Sequence, residues 1–342
     1  MPRILVVIAA FVLSGCWSQT TRIELQGETM GTTFSIVAID RTGAMDPAAV
    51  RTAVELTLKE VNAAMSNWDP ESEVSRFNDS GTHPVAISPE LAEIMQTANA
   101  VHVASQGAFD VTLGPLIALW GFGHDTPDGR VPDLEDIKQA QSIIGQSDVL
   151  KLTRMPDTLQ KSDERVSVHL AAIAKGYGID RIAGTLQDLG LRDYMVEIGG
   201  DLVTAGLNDR DTFWRIGIER PDPTDKRVED VIPISDQGMA TSGDYRNYFE
   251  QDGVRYAHIL DATTGHPITH TTASVTVLAD SAMLADAWAT ALLALGAERG
   301  LPVAEKNNLA VFFIVRDTRI LETSFSTIAS SRFEEVLARE RE

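Results

Sequence analysis

The last long helical pattern of the sequence carries a carboxylate and a hydroxyl four residues apart, Asp286 and Thr290. Residues at this spacing lie on one face of a helix. Hard cations such as Mg²⁺ prefer oxygen ligands of this kind, usually together with substrate phosphates and water. The pair is therefore a candidate metal site, although an Asp–Thr pair at this spacing has low specificity by itself.

Four other segments combine glycines or a helix start with groups that bind or react: residues 107–123, 169–177, 197–201 and 258–261. In the first, glycines beside aromatic rings allow a backbone to approach a flat ligand closely. In the second, the N–H groups of a helix start attract phosphate, and Lys175 could add positive charge. Glu197 could accept hydrogen bonds from a base, and His258 is a candidate proton acceptor. The ordinary alternatives are a loop over the core, a solvated lysine, a glycine bulge and a structural histidine.

Charge and cysteine content exclude several classes of function. The chain has 342 residues, 49 acidic and 29 basic side chains, a formal net charge of −20 and one cysteine. So acidic a chain, without a run of Lys or Arg, does not suit sequence-independent binding of nucleic acid, which depends on cations that neutralise phosphates. One cysteine excludes an internal disulfide, an iron–sulfur cluster and a thiolate zinc site. Oxygen-ligated metals and organic cofactors remain, and a metal would supply the positive charge that a pyrophosphate ligand needs.

The N-terminus has the pattern of a secretion signal, with Arg3, an apolar run from Ile4 to Leu13, and small residues before Cys16. The apolar run of about ten residues is too short to span a bilayer, which needs about 20. Leu13-Ser14-Gly15-Cys16 resembles a bacterial lipobox, in which the cysteine is lipidated. We therefore expect a signal peptide at residues 1–15 and a mature chain of residues 16–342, a periplasmic lipoprotein anchored to the membrane through Cys16. The alternative is a buried cysteine after a signal peptide that is cleaved elsewhere.

Helix and strand patterns occur in uneven blocks along the mature chain. Alternating apolar residues predict a strand pair over residues 21–39, a strand-rich stretch before residue 168, and a hairpin around Asp252-Gly253. Helices are predicted from Asp46-Pro47 and over residues 88–105, 134–144, 172–189 and 281–295. Further strands are predicted near residues 194–197, 202–205, 214–218, 274–278 and 310–315. Because the blocks do not alternate strictly, we expect an α+β fold with largely antiparallel sheets.

Eight motifs, in the order in which they occur, resemble those of the ApbE family, the flavin transferases that move FMN from FAD onto a protein threonine. They are Met30-Gly31-Thr32-Thr33, Met65-Ser66-Asn67-Trp68 with the following residues 72–78, and residues 107–123, 172–177, 197–200, 240–245, 258–265 and 285–290. The motifs cover nearly the whole mature chain, and agreement of eight ordered blocks is not a chance event. The resemblance implies a compact, bilobed α+β fold.

The resemblance also implies roles for individual residues. FAD would be contacted by Met30 and Trp68 in the flavin pocket, by Ala108, Phe109 and Asp110 on another side, and by Lys175 and Leu260. Mg²⁺ would be bound by the Ala172 carbonyl, Asp286 and Thr290, and the Ala289 carbonyl could join them. His258 would lie at the reacting phosphate and act as the base.

The segment before Ala172 departs from the family pattern at two positions. His169 stands where the family usually has an aspartate, and Ala171 stands where it usually has a serine. An imidazole can both donate and accept hydrogen bonds. Recognition of the adenosine through His169 would therefore take an altered form.

The implied reaction is phosphoryl transfer. A threonine hydroxyl of an acceptor protein attacks the flavin-side phosphorus of FAD and expels AMP, so FAD is a substrate and Mg²⁺ the cofactor. The acceptor would be a membrane-associated redox subunit outside the cytoplasm. Two alternatives stay open: an FAD pyrophosphatase that forms FMN and AMP, and a flavin-binding lipoprotein without catalysis. The presence of both Asp286 and Thr290 speaks against the second, because storage needs no metal at the pyrophosphate.

Overall fold

The computed structural model describes residues 20–123, 130–222, 227–245, 247–317 and 324–339. The predicted signal peptide and Cys16 lie outside the described residues, so the signal, the lipid anchor and the periplasmic location stay predictions. None of the helices in these ranges is long and apolar enough to cross a membrane.

Helices and strands follow each other in blocks of unequal length. The helices in the described ranges are α1 (Pro47–Met65), α2 (Glu73–Asn78), α3 (Pro89–Ala104), α4 (Gly114–Leu119), α5 (Leu134–Gln141), α6 (Gln146–Val149), α7 (Ala174–Asp188), α8 (Ala282–Lys306) and α9 (Ser331–Arg339). The strands are β1 (Thr21–Thr29), β2 (Thr32–Asp40), β3 (Val85–Ala86), β4 (Leu150–Thr153), β5 (Thr158–Lys161), β6 (Asp193–Ile198), β7 (Asp201–Ala205), β8 (Trp214–Glu219), β9 (Val228–Ile234), β10 (Gln237–Gly243), β11 (Tyr248–Gln251), β12 (Val254–Ala257), β13 (Leu260–Asp261), β14 (His266–Pro267), β15 (Thr272–Ala279), β16 (Ala310–Arg316) and β17 (Phe325–Ala329).

Eight strands form one sheet in the order β1-β2-β6-β7-β10-β15-β16-β17. Every neighbouring pair in this sheet is antiparallel. The smaller sheets, β3-β5-β4, β8-β9, β11-β12 and β13-β14, are antiparallel as well. The expected α+β class with largely antiparallel sheets is confirmed.

The large sheet separates two apolar layers, because side chains alternate between its faces. On one face, Ile36 packs with α1 and α7, and Val277 packs with α3 and α8. Their neighbours Val37 and Leu278 point to the other face, which is covered by the β8-β9 hairpin and α9. The helices that carry the candidate metal and phosphate ligands, α7 and α8, therefore lie together on one side of the sheet.

Two helix starts are where the sequence predicts them. The Asp46 side chain accepts a hydrogen bond from Ala48 N (3.0 Å) at the start of α1, with Pro47 as the first helical residue. Ser88 does the same for Leu91 N (3.1 Å) at the start of α3. Each cap satisfies an N–H group that has no partner within its helix, and proline costs nothing at the first position.

The helix predicted over residues 281–295 is longer than expected. It continues as α8 to Lys306 after a break at Gly296, whose φ is 70° and ψ 168°. A Cβ at Gly296 would lie 2.6 Å from His270 Cδ2, so the histidine ring occupies space that only glycine leaves. His270 Nε2 also donates to the Leu293 carbonyl (2.9 Å) at the end of the first half. The prediction located the end of the straight part and missed the continuation.

Helices α7 and α8 meet backbone to backbone at Gly176. A Cβ on Gly176 would collide with the backbone of Ala282 and lie 2.6 Å from Met283 Cα. One turn further along α7, the Asp180 carboxylate accepts hydrogen bonds from Ala282 N and Met283 N, both at 2.9 Å. These are the first N–H groups of α8, which have no partner within the helix. The close contact and the carboxylate together fix the start of α8 against α7.

We expect Gly176→Ala to lower the free energy of unfolding by about 1–3 kcal/mol, because the added methyl group forces the two helices apart. Gly184→Ala on the same helix is the matched control, since no atom lies within 4 Å of the position of its Cβ. That substitution is expected to be neutral or to stabilise by up to about 1 kcal/mol. Urea unfolding of both variants checks this, and equal stability of the two would show that the contact at Gly176 is tolerant.

Candidate active site

Lys175, at the start of α7, lies between two carboxylates. Its Nζ is paired with Asp201 at the start of β7 and lies 3.4 Å from Asp286 Oδ1 on α8. Asp201 also accepts the N–H of Thr241 on β10 (3.1 Å), and Asp286 Oδ2 accepts the N–H of Gly176 (3.1 Å). Both aspartates are buried. The ammonium group thus connects α7, β7 and α8, and Asp201 extends the connection to β10.

The charges of this cluster shift each other's pKa. Burial raises the pKa of Asp286 to about 6, against the opposing attraction of Lys175. Burial by itself would lower the pKa of Lys175, but the charges of Asp201 and Asp286 outweigh it and the net shift is upward. The ammonium therefore stays charged. With both aspartates ionised, the cluster has an excess of one buried negative charge, and a second cation would stabilise that state.

Thr290, one turn after Asp286 on α8, and Ala172, four residues before the Asp286 partner Gly176, each offer a further oxygen atom. Thr290 Oγ1, one turn along α8, lies 3.2 Å from Ser242 Oγ on β10. Ala172 lies just before α7, and its carbonyl accepts no hydrogen bond within the described ranges, because Gly176 N donates to Asp286 instead. Ala289 is also close in sequence, but it lies inside α8, where carbonyls face the N–H groups of the helix itself.

These donors fit a hard cation that takes part of its coordination shell from a substrate. The described residues contain no group of three or more His, Cys, Asp or Glu side chains that could hold a metal ion. A carboxylate, a hydroxyl and a free carbonyl are instead the few protein ligands that Mg²⁺ commonly uses, with phosphates and water as the others. The set at Asp286, Thr290 and Ala172 therefore suits Mg²⁺ bound together with a phosphorylated ligand.

A cavity of about 150 Å³ opens beside Lys175. Met30, Trp68 and His169 line it together with Lys175, so four predicted ligand residues come together here. Trp68 is 57 % exposed, so its indole is accessible to a flat ligand. Because Lys175 belongs to both places, the cavity and the carboxylate cluster form one continuous site.

Residues 108–110 do not line this cavity. Ala108 lines a second cavity, of about 380 Å³, which is also lined by residues 261–263. Phe109 is buried in the core, and the Asp110 carboxylate accepts hydrogen bonds from Thr112 N (2.7 Å) and Gln146 N (2.9 Å). The side chains of Phe109 and Asp110 therefore stabilise the loop. A ligand contact at these positions would come from backbone atoms or from Ala108.

His258 follows the β11-β12 hairpin, and the tautomer of its neutral ring is set by one carbonyl. Its Nδ1 (3.0 Å) and its backbone N (3.1 Å) both contact the Asn247 carbonyl, which can only accept. Nδ1 therefore carries the proton and Nε2 keeps its lone pair. Burial lowers the pKa of His258 below its usual value, although the Asn247 carbonyl and the Asp244 carboxylate oppose this. The ring also lies edge-on to Phe122, with the ring centres 6.4 Å apart.

The site residues that the sequence predicts form two groups in the structure. Leu260 is buried in an apolar cluster with Trp120 and Ile137, and the next residues reach the second cavity. In the described part of the chain, neither a hydrogen bond nor an ion pair joins His258 to Lys175 or Asp286. The first group is the cavity with the carboxylate cluster, and the second is the segment from His258 onward with Ala108.

Sequence reasoning assigned no role to two residues of the cluster. Asp201 directly follows Gly199-Gly200, and it is the main partner of Lys175. Ser242 belongs to the motif at residues 240–245 and faces Thr290. A polar residue immediately after a glycine pair at a strand start was the available signal for Asp201. For Ser242 the pairing of β10 with β15, which places it beside α8, was not visible in the sequence.

Comparison with known proteins identifies the family of the chain. Residues 30–313 match the model of the ApbE family. The chain is 42 % identical over 337 residues to the FAD:protein FMN transferase of Vibrio cholerae serotype O1, covering 98 % of this chain and 99 % of that protein. It is 41 % identical over 339 residues to the FAD:protein FMN transferase of Haemophilus influenzae, covering 97 % of this chain and 96 % of that protein.

Solved structures show the same likeness. The flavin transferase ApbE from Vibrio cholerae superimposes with a TM-score of 0.84 at 41 % identity, over 93 % of this chain and 99 % of that one. The ApbE protein of Thermotoga maritima does so with a TM-score of 0.80 at 30 % identity, over 93 % of this chain and 99 % of that one. The fold, the ordered motifs and these relatives lead to one conclusion: the chain belongs to the ApbE family.

Proposed function

We propose that this protein is an FAD:protein FMN transferase, which moves FMN from FAD to a threonine hydroxyl of an acceptor protein and releases AMP. The observation that carries the proposal is the position of Lys175, which lines the cavity beside Trp68 and is also paired with Asp201 and Asp286. A flat ring in the cavity would thus have its phosphates next to the cationic and metal-binding groups. Family membership and the relatives' activity support the same reaction.

FAD would be held from both groups of residues. Met30 and Trp68 contact the flavin, His169 contacts the adenosine side, and Lys175 contacts a phosphate. The segments with Ala108, Phe109 and Asp110 and with Leu260 hold FAD from the second cavity, the buried residues through their backbone. One dinucleotide would then contact both cavities.

Mg²⁺ would be held by the Asp286 carboxylate, the Thr290 hydroxyl and the Ala172 carbonyl, with the Ala289 carbonyl as a further contact. When bound, it neutralises the negative charge of the phosphate oxygens. Lys175 adds a fixed positive charge on the same side. Asp201 keeps that ammonium in place, and Gly176 N keeps Asp286 oriented towards the site.

The reaction needs a base, and it needs the threonine hydroxyl to be aligned with the flavin-side phosphorus. Nε2 of His258 takes the proton of the acceptor threonine as its oxygen forms a bond to the flavin-side phosphorus. The bond from this phosphorus to the bridging oxygen breaks, and AMP leaves with that oxygen and its electron pair. Loose transition states of phosphoryl transfer depend mainly on positioning and charge neutralisation, so Lys175 and the metal-binding residues would supply most of the acceleration.

The proposed location rests on the N-terminal sequence, and the proposed partner rests on the family resemblance. A signal peptide at residues 1–15 and lipidation of Cys16 would tether the protein to a membrane, with its globular part in the periplasm. The acceptor would then be a periplasmic or membrane-bound redox subunit that presents a threonine on its surface. Nucleic acid is not an expected partner of so acidic a chain.

The decisive experiment incubates the mature, unlipidated protein with FAD and Mg²⁺, with and without a threonine-containing acceptor. AMP release together with an acceptor heavier by one FMN is the expected result. Free FMN and AMP without modification of any acceptor would replace the proposal with FAD hydrolysis. Bound FAD without AMP would indicate a flavin-binding protein.

A further inference from the structure

The side-chain amide of Asn67 connects the residues on either side of His169. Its Nδ2 donates to the Val168 carbonyl (2.7 Å), and its Oδ1 accepts the N–H of Leu170 (2.8 Å). The N–H of His169 itself donates to the Val111 carbonyl (2.7 Å). The backbone of His169 is thus held from two sides, and the direction of its Cα–Cβ bond is fixed with it.

A second asparagine holds the same segment without reaching past His169. Asn78 Nδ2 donates to the Val168 carbonyl (2.9 Å), and Asn78 Oδ1 accepts the N–H of Val168 (2.7 Å). Asn78 therefore fixes the position of the backbone at Val168. The contact to Leu170 N is made by Asn67. Asn67 therefore controls the direction in which the His169 side chain projects from the backbone.

Asn67 and His169 also line the same cavity, together with Trp68 and Lys175. Because Asn67 directly precedes Trp68 in the chain, its amide sets the spacing between the loop that carries the indole and the segment that carries the imidazole. Only a group with a donor and an acceptor in one plane can make both contacts, and among side chains of this length that is asparagine.

We propose that Asn67 is a positioning residue for nucleotide recognition: it holds His169 in the orientation in which its ring contacts FAD. Asn67 thereby sets the affinity for FAD, whereas turnover depends on Lys175, the metal-binding residues and His258. The inference rests on the proposed function, since it takes FAD as the ligand of the cavity.

The test is a double-mutant cycle on FAD binding. Asn67→Asp keeps the size of the side chain and the acceptor for Leu170 N, but places a second acceptor against the Val168 carbonyl. We expect the dissociation constant for FAD, measured by titration, to rise about ten- to a hundredfold. In steady-state assays KM should rise while kcat stays within about threefold of the unmodified protein. In Asn67→Asp/His169→Ala, the loss should be no larger than in His169→Ala, because Asn67 acts through His169.

Asn208→Asp is the matched control. Asn208 makes a similar bridge in the loop after β7, where Nδ2 donates to the Phe213 carbonyl (2.8 Å) and Oδ1 accepts Arg210 N (2.8 Å), and it does not line the cavity. Its affinity for FAD should be unchanged. Asn67→Ser, which removes both contacts without adding charge, replaces Asn67→Asp if the latter does not fold by circular dichroism.

Three results would overturn the proposal. These are unchanged FAD affinity in both folded Asn67 variants, a loss in kcat alone, and losses that multiply in the double variant. Failure of the proposed function is separable, because FAD titration does not depend on transfer. If the unmodified protein transfers FMN and the Asn67 variants bind FAD normally, only the positioning role is lost, whereas an unmodified protein that binds no FAD overturns both proposals.

Discussion

Asp286→Asn is expected to reduce FMN transfer about a hundred- to a thousandfold at saturating Mg²⁺, since a bound metal contributes several kcal/mol to such reactions. The amide has the size of the carboxylate and can still accept the N–H of Gly176, but it lacks the charge that a cation requires. Burial already disfavours the charged carboxylate, as its raised pKa indicates. Thermal stability should therefore change little, which separates a lost metal ligand from a damaged fold.

The measurement is AMP release and acceptor mass across a Mg²⁺ titration, with circular dichroism to record unfolding. Asp280→Asn is the matched control, because Asp280 is an exposed aspartate just before α8. Its turnover should equal that of the unmodified protein. Near-normal turnover of Asp286→Asn at saturating Mg²⁺ would remove Asp286 from the metal site.

His258→Asn is expected to reduce turnover about a hundred- to ten-thousandfold, the usual contribution of a general base. The asparagine amide can still donate to the Asn247 carbonyl, but it has no basic nitrogen. FAD affinity should change far less than kcat, because His258 acts on the acceptor hydroxyl rather than on the nucleotide. Equal losses in FAD binding and turnover would show that His258 binds FAD and does not take the proton.

The lowered pKa of His258 predicts how turnover falls on the acid side of the pH profile. The free imidazole is the active form, and burial lowers the pKa of His258 below 6.5, the usual value for an imidazole. Turnover should therefore be retained as the pH falls to 6.5 and be lost only below it. The contribution of His258 to the limb should disappear in His258→Asn and persist in His83→Ala, which removes an exposed imidazole. A loss of turnover below about pH 6, where Asp286 becomes protonated, should remain in both variants. A limb centred above pH 6.5 would contradict the lowered pKa of the half-buried His258.

Local features of the sequence were sufficient for much of the fold. The starts of α1 and α3 follow from Asp46-Pro47 and Ser88-Pro89, because capping and proline act within one turn. The β1-β2 pair follows from alternation of apolar residues. The hairpin around Asp252-Gly253 is present but shorter than predicted, as β11 and β12. The short helix α2, inside the motif at residues 72–78, escaped prediction because one and a half turns show little periodicity.

The site was predictable to the extent that its residues share an element or a motif. Asp286 and Thr290 face the same side because they are four residues apart on α8. Met30, Trp68, His169 and Lys175 were selected by family motifs, and they line one cavity. The interior position of the Asp110 side chain was not predictable, since its partner Gln146 is 36 residues away.

The sequence by itself thus determined the class of fold, the family, and through the ordered motifs the reaction that we propose. Tertiary structure alone decided that Lys175 is paired with Asp201, that Asn67 holds the segment around His169, and that burial shifts the pKa values of Asp286 and His258. The physical reason is the separation along the chain over which each interaction acts. Caps, alternation and helical spacing act between near neighbours, whereas burial and ion pairing depend on residues that the chain brings together only when the sheet and its helices are packed.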